Sequence, residues 1–154
     1  MEKAMLSIRA GTQEDQVEVQ RLLTELGEAT GNTAKPFSEH TFNELIAGSR
    51  GRLIVAEEDG RLLGLAAVSY NLALRYDGEY CQLEELVVSP AARGKNLGAR
   101  LVEQTLEDAA ERGCAEYGLY LISSTEHNRP FYEKFGLEGV GTEMRKRLLD
   151  AGES

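Results

Sequence analysis

The chain has 154 residues, 42% of them hydrophobic and 28% charged, and a formal net charge of -9 at pH 7. That is the size of one domain with its own core, 1–154 with about 6–149 ordered, and the acidic balance argues against a nucleic-acid partner, which needs clustered Lys and Arg. No apolar run approaches the roughly 20 residues that cross a bilayer, and Met1 to Met5 lacks the apolar stretch of a secretory signal, so no membrane partner and a cytoplasmic address are expected.

Leu6-Ser7-Ile8-Arg9-Ala10 alternates apolar and polar residues as a half-buried strand does. Thr12 reads as an N-cap with acidic residues behind it, and Val17, Leu22, Leu23 and Leu26 form the stripe of a first helix. Periodicity stops over Gly27 to Phe37. Ser38 then caps a short second helix carrying Phe42, Leu45 and Ile46, and this helix-loop-helix region reads as a lid. Leu53 to Ala56 and Leu62 to Tyr70 flank Glu58-Asp59-Gly60-Arg61, the signature of a hairpin turning on Asp-Gly.

Asp77-Gly78 marks another turn before a strand over 80–88. Its second half, Leu83 to Val88, is apolar except for Glu84 and Glu85, and it ends at Ser89-Pro90 because proline has no amide to continue a ladder. Neighbouring strand residues face opposite ways, so one of the two acids points toward the cleft. Leu83, Glu85 and Val87 share one face and Glu84, Leu86 and Val88 the other, unless a β-bulge shifts the phase.

Leu97, Leu101, Val102, Leu106, Ala109 and Ala110 recur at helical spacing, and Gly113 supplies the stop. Between this helix and the strand before it runs Arg93-Gly94-Lys95-Asn96-Leu97-Gly98-Ala99, with no large side chain at its turning points. Such a junction gathers unpaired N–H groups around one point, with the positive end of the helix dipole behind them, and so suits a diphosphate. Arg93, Lys95 and Arg100 supply local positive charge. The glycine spacing fits neither a P-loop nor a dinucleotide fold.

Tyr117 to Ile122 reads as a further strand, Asn128 to Phe135 as a short helix with Pro130 in its first turn and Gly136 at its end, and Val140 to Leu149 as a last strand. Cys81 and Cys114 have no metal-ligand spacing and read as reduced thiols, so no metal is expected.

The run from Arg93 to Gly98 resembles the acyl-CoA-binding motif of the GCN5-related N-acetyltransferase (GNAT) family: Gln or Arg, two residues, Gly, one residue, then Gly or Ala. Asn96 stands where the first glycine is usual, and asparagine tolerates positive φ better than other residues with a Cβ. Asn128-Arg129-Pro130-Phe131-Tyr132-Glu133-Lys134-Phe135-Gly136-Leu137 is similar to the family's Asn-x-x-Ala-x-x-Phe-Tyr-x-x-x-Gly-Phe segment, shortened between the asparagine and the aromatic pair. The element order β, α, α, β, β, β, α, β, α, β is also the family's.

The resemblance implies an α/β (α+β) fold with a mixed central sheet of six or seven strands and four helices, and acetyl-CoA as co-substrate. It implies that Leu86, Val87 and Val88 pair with pantetheine through their backbone where the strand parts from its parallel neighbour. It further implies that Arg93, Gly94, Lys95, Asn96, Leu97, Gly98, Ala99 and Arg100 hold the phosphates and that Asn128 touches the pantetheine. Tyr132 takes the role of proton donor to the departing thiolate, a nearly balanced transfer for a phenol with a pKa of about 10. Glu85, or its neighbour Glu84, takes the role of base or amine-binding carboxylate.

The run from Glu85 to Gly98 is most similar to small-amine acetyltransferases of the aminoalkylphosphonate type, which implies direct transfer to a small primary amine in a ternary complex. Acetylation of a protein N-terminus or lysine, and a CoA-binding sensor without turnover, are the other readings. Asn32, Lys35, His40, Asn71, Arg75 and Tyr76 lie in the segments expected to face the acceptor. Homodimerisation through sheet edges or the C-terminal strand is common among relatives.

Overall fold

A computed structural model describes residues 5–30, 36–92 and 94–149. The chain divides into two compact units, Met1–Leu119 and Tyr120–Ser154.

The first unit is built on a five-stranded sheet in the order β1-β2-β3-β4-β5, with β1 Leu6–Ala10, β2 Gly51–Glu58, β3 Arg61–Ala73, β4 Gly78–Val88 and β5 Tyr117–Gly118. The first four strands are antiparallel neighbours and β5 joins β4 in parallel. Helices α1 Gln16–Thr30 and α2 Glu39–Ile46 connect β1 to β2, and α3 Leu97–Arg112 is the crossover from β4 to β5. Their boundaries are set by local chemistry. The Thr12 amide donates to the Asp15 carboxylate at 2.8 Å ahead of α1, and Ser38 Oγ accepts from the Thr41 amide at 3.1 Å ahead of α2. Gly113 ends α3 at φ 91°, a left-handed value that a residue with a Cβ adopts only at a cost. Asp59 and Gly60 both take positive φ between Glu58 and Arg61, the requirement of the tight hairpin turn that their sequence announces.

Because β2 and β3 are covered on both faces, they read as unbroken apolar runs. Leu53, Val55, Leu65 and Ala67 pack with Val19, Leu22 and Phe42 of α1 and α2 in one buried cluster. The alternate residues Ile54, Ala66 and Val68 are buried as well, as are Leu97, Leu101 and Val102 of α3. The one polar side chain of α3 that is buried, Thr105, bonds the Val102 carbonyl and the Tyr117 hydroxyl, each at 2.8 Å, so its burial leaves nothing unsatisfied. Leu101 is fully buried, and Leu101→Ala is expected to cost roughly 2–5 kcal/mol. The check is a lower urea midpoint at unchanged m-value.

In the second unit, α4 Arg129–Glu133 follows a 3-10 turn over Ser123–Asn128 and has proline in its first turn. Gly136 closes the segment at φ 88°.

Two expected strands differ. The one anticipated over 117–122 stops at Gly118, because β5 finds hydrogen-bonded partners only at Cys81 and Gln82. The one anticipated over 140–149 has no regular structure, and Val140, Met144 and Leu148 are exposed at 88%, 91% and 87%. A strand is stable only against a neighbouring ladder. The second unit contains no other strand among its described residues, so the sheet has five strands rather than six or seven. No helix among the described residues is long and apolar enough to cross a membrane.

Candidate active site

A register shift in β4 governs where its acids point. Leu83 stands opposite Val68 and Glu85 opposite Ala67, so Glu84 is an extra residue with no partner of its own, a β-bulge. Glu85 and Val87 thereby join the face of Ala67 and Leu65, whereas Leu83 stays with Val68 on the other. The exception allowed for, a β-bulge that shifts the phase, is what the strand contains: Glu85 and Val87 share a face and Leu83 leaves it. Glu84 does not point away from Glu85 either. Its carboxylate accepts from Ser69 Oγ at 2.6 Å, and Ser69 lies two residues along β3 from Ala67, on the same face.

Of the two acids, Glu85 enters a recess of about 180 Å³ between the sheet and the α1–α2 region. Leu53, Leu65 and Ala67 form its floor and Val19 and Leu23 of α1 one side. Phe37, Thr41, Phe42 and Leu45 complete it, the two rings stacked with centroids 5.6 Å apart. Glu85 keeps access to solvent, but the apolar surroundings disfavour its charge and the nearby Glu84 carboxylate adds repulsion. Both push its pKa above the ordinary carboxylate range, burial more strongly. A carboxyl tuned upward in this way is suited to accepting a proton from an ammonium or holding one by charge.

The stacked phenylalanines are not legible in the sequence as a pocket wall, because their spacing also serves an ordinary core. The loop between α1 and α2, expected as part of a lid, lies partly outside the described residues. His40, Asn71, Arg75 and Tyr76 do not line the recess. His40 is exposed, Asn71 Nδ2 donates to Ser69 Oγ at 3.0 Å, Arg75 lies over the rings of Tyr76 and Tyr80, and the Tyr76 hydroxyl donates to Glu116. Asn32 and Lys35 lie outside the described residues.

At the end of β4, Leu86, Val87 and Val88 pair with Ala66, Leu65 and Gly64 of β3. On the other side β5 accompanies β4 only at Cys81 and Gln82, so from Leu83 to Val88 that edge has no strand beside it among the described residues. The chain then turns through Pro90–Ala92 into the glycine-bearing junction. Arg93 lies outside the described residues. Gly94 takes φ 85° and Asn96 φ 57°, and the Arg100 amide makes a helical bond to the Asn96 carbonyl at 3.2 Å. The amides of Leu97, Gly98 and Ala99 precede any such acceptor within the helix, and the Asn96 side chain does not cap them. Among the described residues these amides have no capping side chain, and the positive end of a 16-residue helix follows the open edge of β4 along the chain, an arrangement that suits a diphosphate. Lys95 Nζ lies 3.1 and 3.3 Å from the two carboxylate oxygens of Glu58. A surface pair of this kind contributes only about 0–1 kcal/mol, so an incoming phosphate can displace the carboxylate. Arg100 is exposed.

The left-handed turn gives a direct test. Asn96→Val places a β-branched residue where φ is positive and is expected to destabilise by about 1–2 kcal/mol, while Asn96→Gly is tolerated. Chemical denaturation of the two variants side by side checks this.

In the second unit, Tyr132 of α4 is half-buried, its ring edge-on to Phe131 at 5.0 Å, and burial raises its phenol above the ordinary value. Phe131 packs in turn on Phe135 at 5.4 Å. Asn128 ends the 3-10 turn ahead of α4 and its side chain does not cap that helix. Neither cysteine offers a nucleophile. Burial pushes the Cys81 thiol up to about 12, and Cys114 is raised as well, again chiefly by burial, so both stay protonated near neutral pH.

The acetyltransferase (GNAT) family model matches residues 17–137. Glucosamine 6-phosphate N-acetyltransferase 1 of rice is 33% identical over 127 residues, covering 80% of this chain and 74% of the rice protein. Among solved structures, a protein of Bacillus halodurans described as a transcriptional regulator superposes with a TM-score of 0.80 at 26% identity, covering 94% of this chain and 100% of the other. The glucosamine-6-phosphate N-acetyltransferase of Arabidopsis thaliana gives 0.78 at 25% identity, covering 94% and 99%. With a family match over most of its length and a relative one-third identical, the chain belongs to the acetyltransferase (GNAT) family and is an acyl-CoA-dependent N-acetyltransferase.

Proposed function

We propose that residues 1–154 act as one acetyltransferase domain that moves the acetyl group of acetyl-CoA directly to the primary amine of a small molecule, both substrates being bound together. The observation that carries this reading is the meeting of an open β4 edge, Leu83 to Val88, with the uncapped first turn of α3. The fit is good on this chain's own terms. Gly94 leaves open space where a Cβ would stand, and the amides of Leu97, Gly98 and Ala99 supply donors to an anion without a matched cation.

Acetyl-CoA supplies an acyl carbon activated by its thioester bond. The backbone of Leu86, Val87 and Val88 would hold the pantetheine as an added strand is held, and a main-chain N–H there would donate to the acyl oxygen and stabilise the negative charge that develops on it. Glu85, through water, takes the proton that the amine must lose before its lone pair can form the new C–N bond. Tyr132 gives its hydroxyl proton to the sulfur as the C–S bond breaks and regains one, through water, from the nitrogen of the new C–N bond. The reaction thus releases a neutral thiol and an amide while the proton first taken by Glu85 passes to solvent. Asn128 steadies the pantetheine arm.

The relatives named for glucosamine 6-phosphate support a small acceptor over a protein one. Isothermal titration with coenzyme A, followed by thiol-release assays over aminophosphonates, polyamines, aminoglycosides and peptides, tests the reading. Binding with turnover of small amines is expected. Binding without turnover of any amine would favour a sensor, and preference for peptides would favour protein acetylation.

A further inference from the structure

Eight of the ten residues around the recess in front of Glu85 are apolar, and the two that are not are Thr41 and Glu85 itself. Thr41 Oγ1 already accepts from the Ser38 hydroxyl at 3.2 Å. No Lys, Arg or His lines the recess among the described residues. A phosphate placed there would lose its water beside a carboxylate and apolar walls, with no compensating cation among the described lining residues, an arrangement that burial makes costly. An ammonium finds the opposite, a lining carboxylate, Glu85, that keeps access to solvent and has the Glu84 carboxylate nearby. An apolar cavity of about 150 Å³ accepts benzene. At about 180 Å³, this one has room for a ring or a branched alkyl group.

We infer that the acceptor is a primary amine with a compact apolar body, a ring or branched chain, and with no phosphate on the part that enters the recess. The inference rests on the proposal of acetyl transfer to a small amine and narrows it. Glu85 holds the amino end, the floor of Leu53, Leu65 and Ala67 and the stacked Phe37 and Phe42 take up the body, and the open β4 edge lies next along the strand. Selection here works by exclusion as much as by attraction. A sugar phosphate brings hydroxyl and phosphate groups that this apolar wall cannot satisfy. Added hydroxyls are rejected by an apolar pocket only about 10²-fold, so the phosphate's desolvation beside Glu85 is the stronger bar.

The test uses the full chain with acetyl-CoA and four acceptors at equal concentration: 2-phenylethylamine, isoamylamine, glucosamine 6-phosphate and 2-aminoethylphosphonate. The two apolar amines are expected to have kcat/KM values roughly tenfold or more above the two phosphorus-bearing ones. Ala67→Leu, which fills the floor beside Glu85, is expected to raise KM for 2-phenylethylamine roughly tenfold while KM for acetyl-CoA holds. If that variant does not fold, Leu45→Ala, which widens the recess, is expected to shift preference toward 4-phenylbutylamine. Faster turnover of either phosphorus-bearing amine, or a KM for 2-phenylethylamine unmoved in the folded Ala67→Leu protein, would overturn the inference and leave acetyl transfer standing. Coenzyme A binding with no amine acetylated would overturn acetyl transfer itself, and this inference with it.

Discussion

Tyr132→Phe is expected to lower kcat by about 10²-fold while coenzyme A affinity stays as it was. Phenylalanine keeps the ring and its edge-on contact with Phe131, so the change removes one O–H and little else. Burial holds the phenol above its ordinary range, which keeps it protonated at neutral pH and able to give its proton when a thiolate leaves. The defect should shrink with an acyl donor whose thiol is more acidic, because a stable thiolate needs no proton to depart. Steady-state thiol release with the two donors separates this from a packing effect, which would slow both alike. Full turnover by the variant would remove Tyr132 from the chemistry.

Glu85→Gln is expected to cost roughly 10²–10³-fold in kcat/KM for the amine. It should also abolish the acidic limb of the pH–rate profile. In the unsubstituted protein that limb lies above the ordinary carboxyl pKa of about 4.3, since both the apolar recess and Glu84 raise the Glu85 pKa. Stability should move the other way. A carboxyl whose pKa is raised by folding binds more protons in the native state than in the unfolded one, so stability falls as pH rises between the two values. The glutamine variant escapes that loss. It should therefore be the more stable protein above the native pKa of Glu85, with the advantage fading below the ordinary carboxyl value. Thermal melts across pH 4 to 8 would test this, and a variant less stable at pH 8 would contradict the desolvation account.

The features legible in the sequence are those in which one or two residues dictate their own backbone. Asp59-Gly60 specifies a tight turn, Ser38 a helix start, Gly113 a helix stop and Asn96 a left-handed residue, and each stands where its chemistry requires. The side on which Glu84 and Glu85 lie was not legible, because it depends on whether Val68 and Ala67 of another strand face consecutive or alternate residues of β4. The recess was hidden for a similar reason. Its walls come from α1, the segment before α2, α2 itself and three strands, and nothing in the spacing of Phe37 and Phe42 distinguishes a pocket wall from ordinary core. The terminal segment over 140–149 shows the converse. Its alternation is that of a strand, yet alternation fixes only which side would be buried and cannot supply the neighbour that a ladder requires.

The supernumerary residue of β4 bears on more than the aim of one carboxylate. Parallel pairing with β5 ends at Gln82, one residue before the irregular stretch from Leu83 to Glu85 begins. An added residue coils a strand more tightly at that spot. β4 has a strand on each side at Cys81 and Gln82, and only β3 beside it from Leu83 to Val88 among the described residues. Under the proposed function, the edge offered to the thioester's long arm and the acid offered to the incoming nitrogen both begin at this one inserted residue, Glu84.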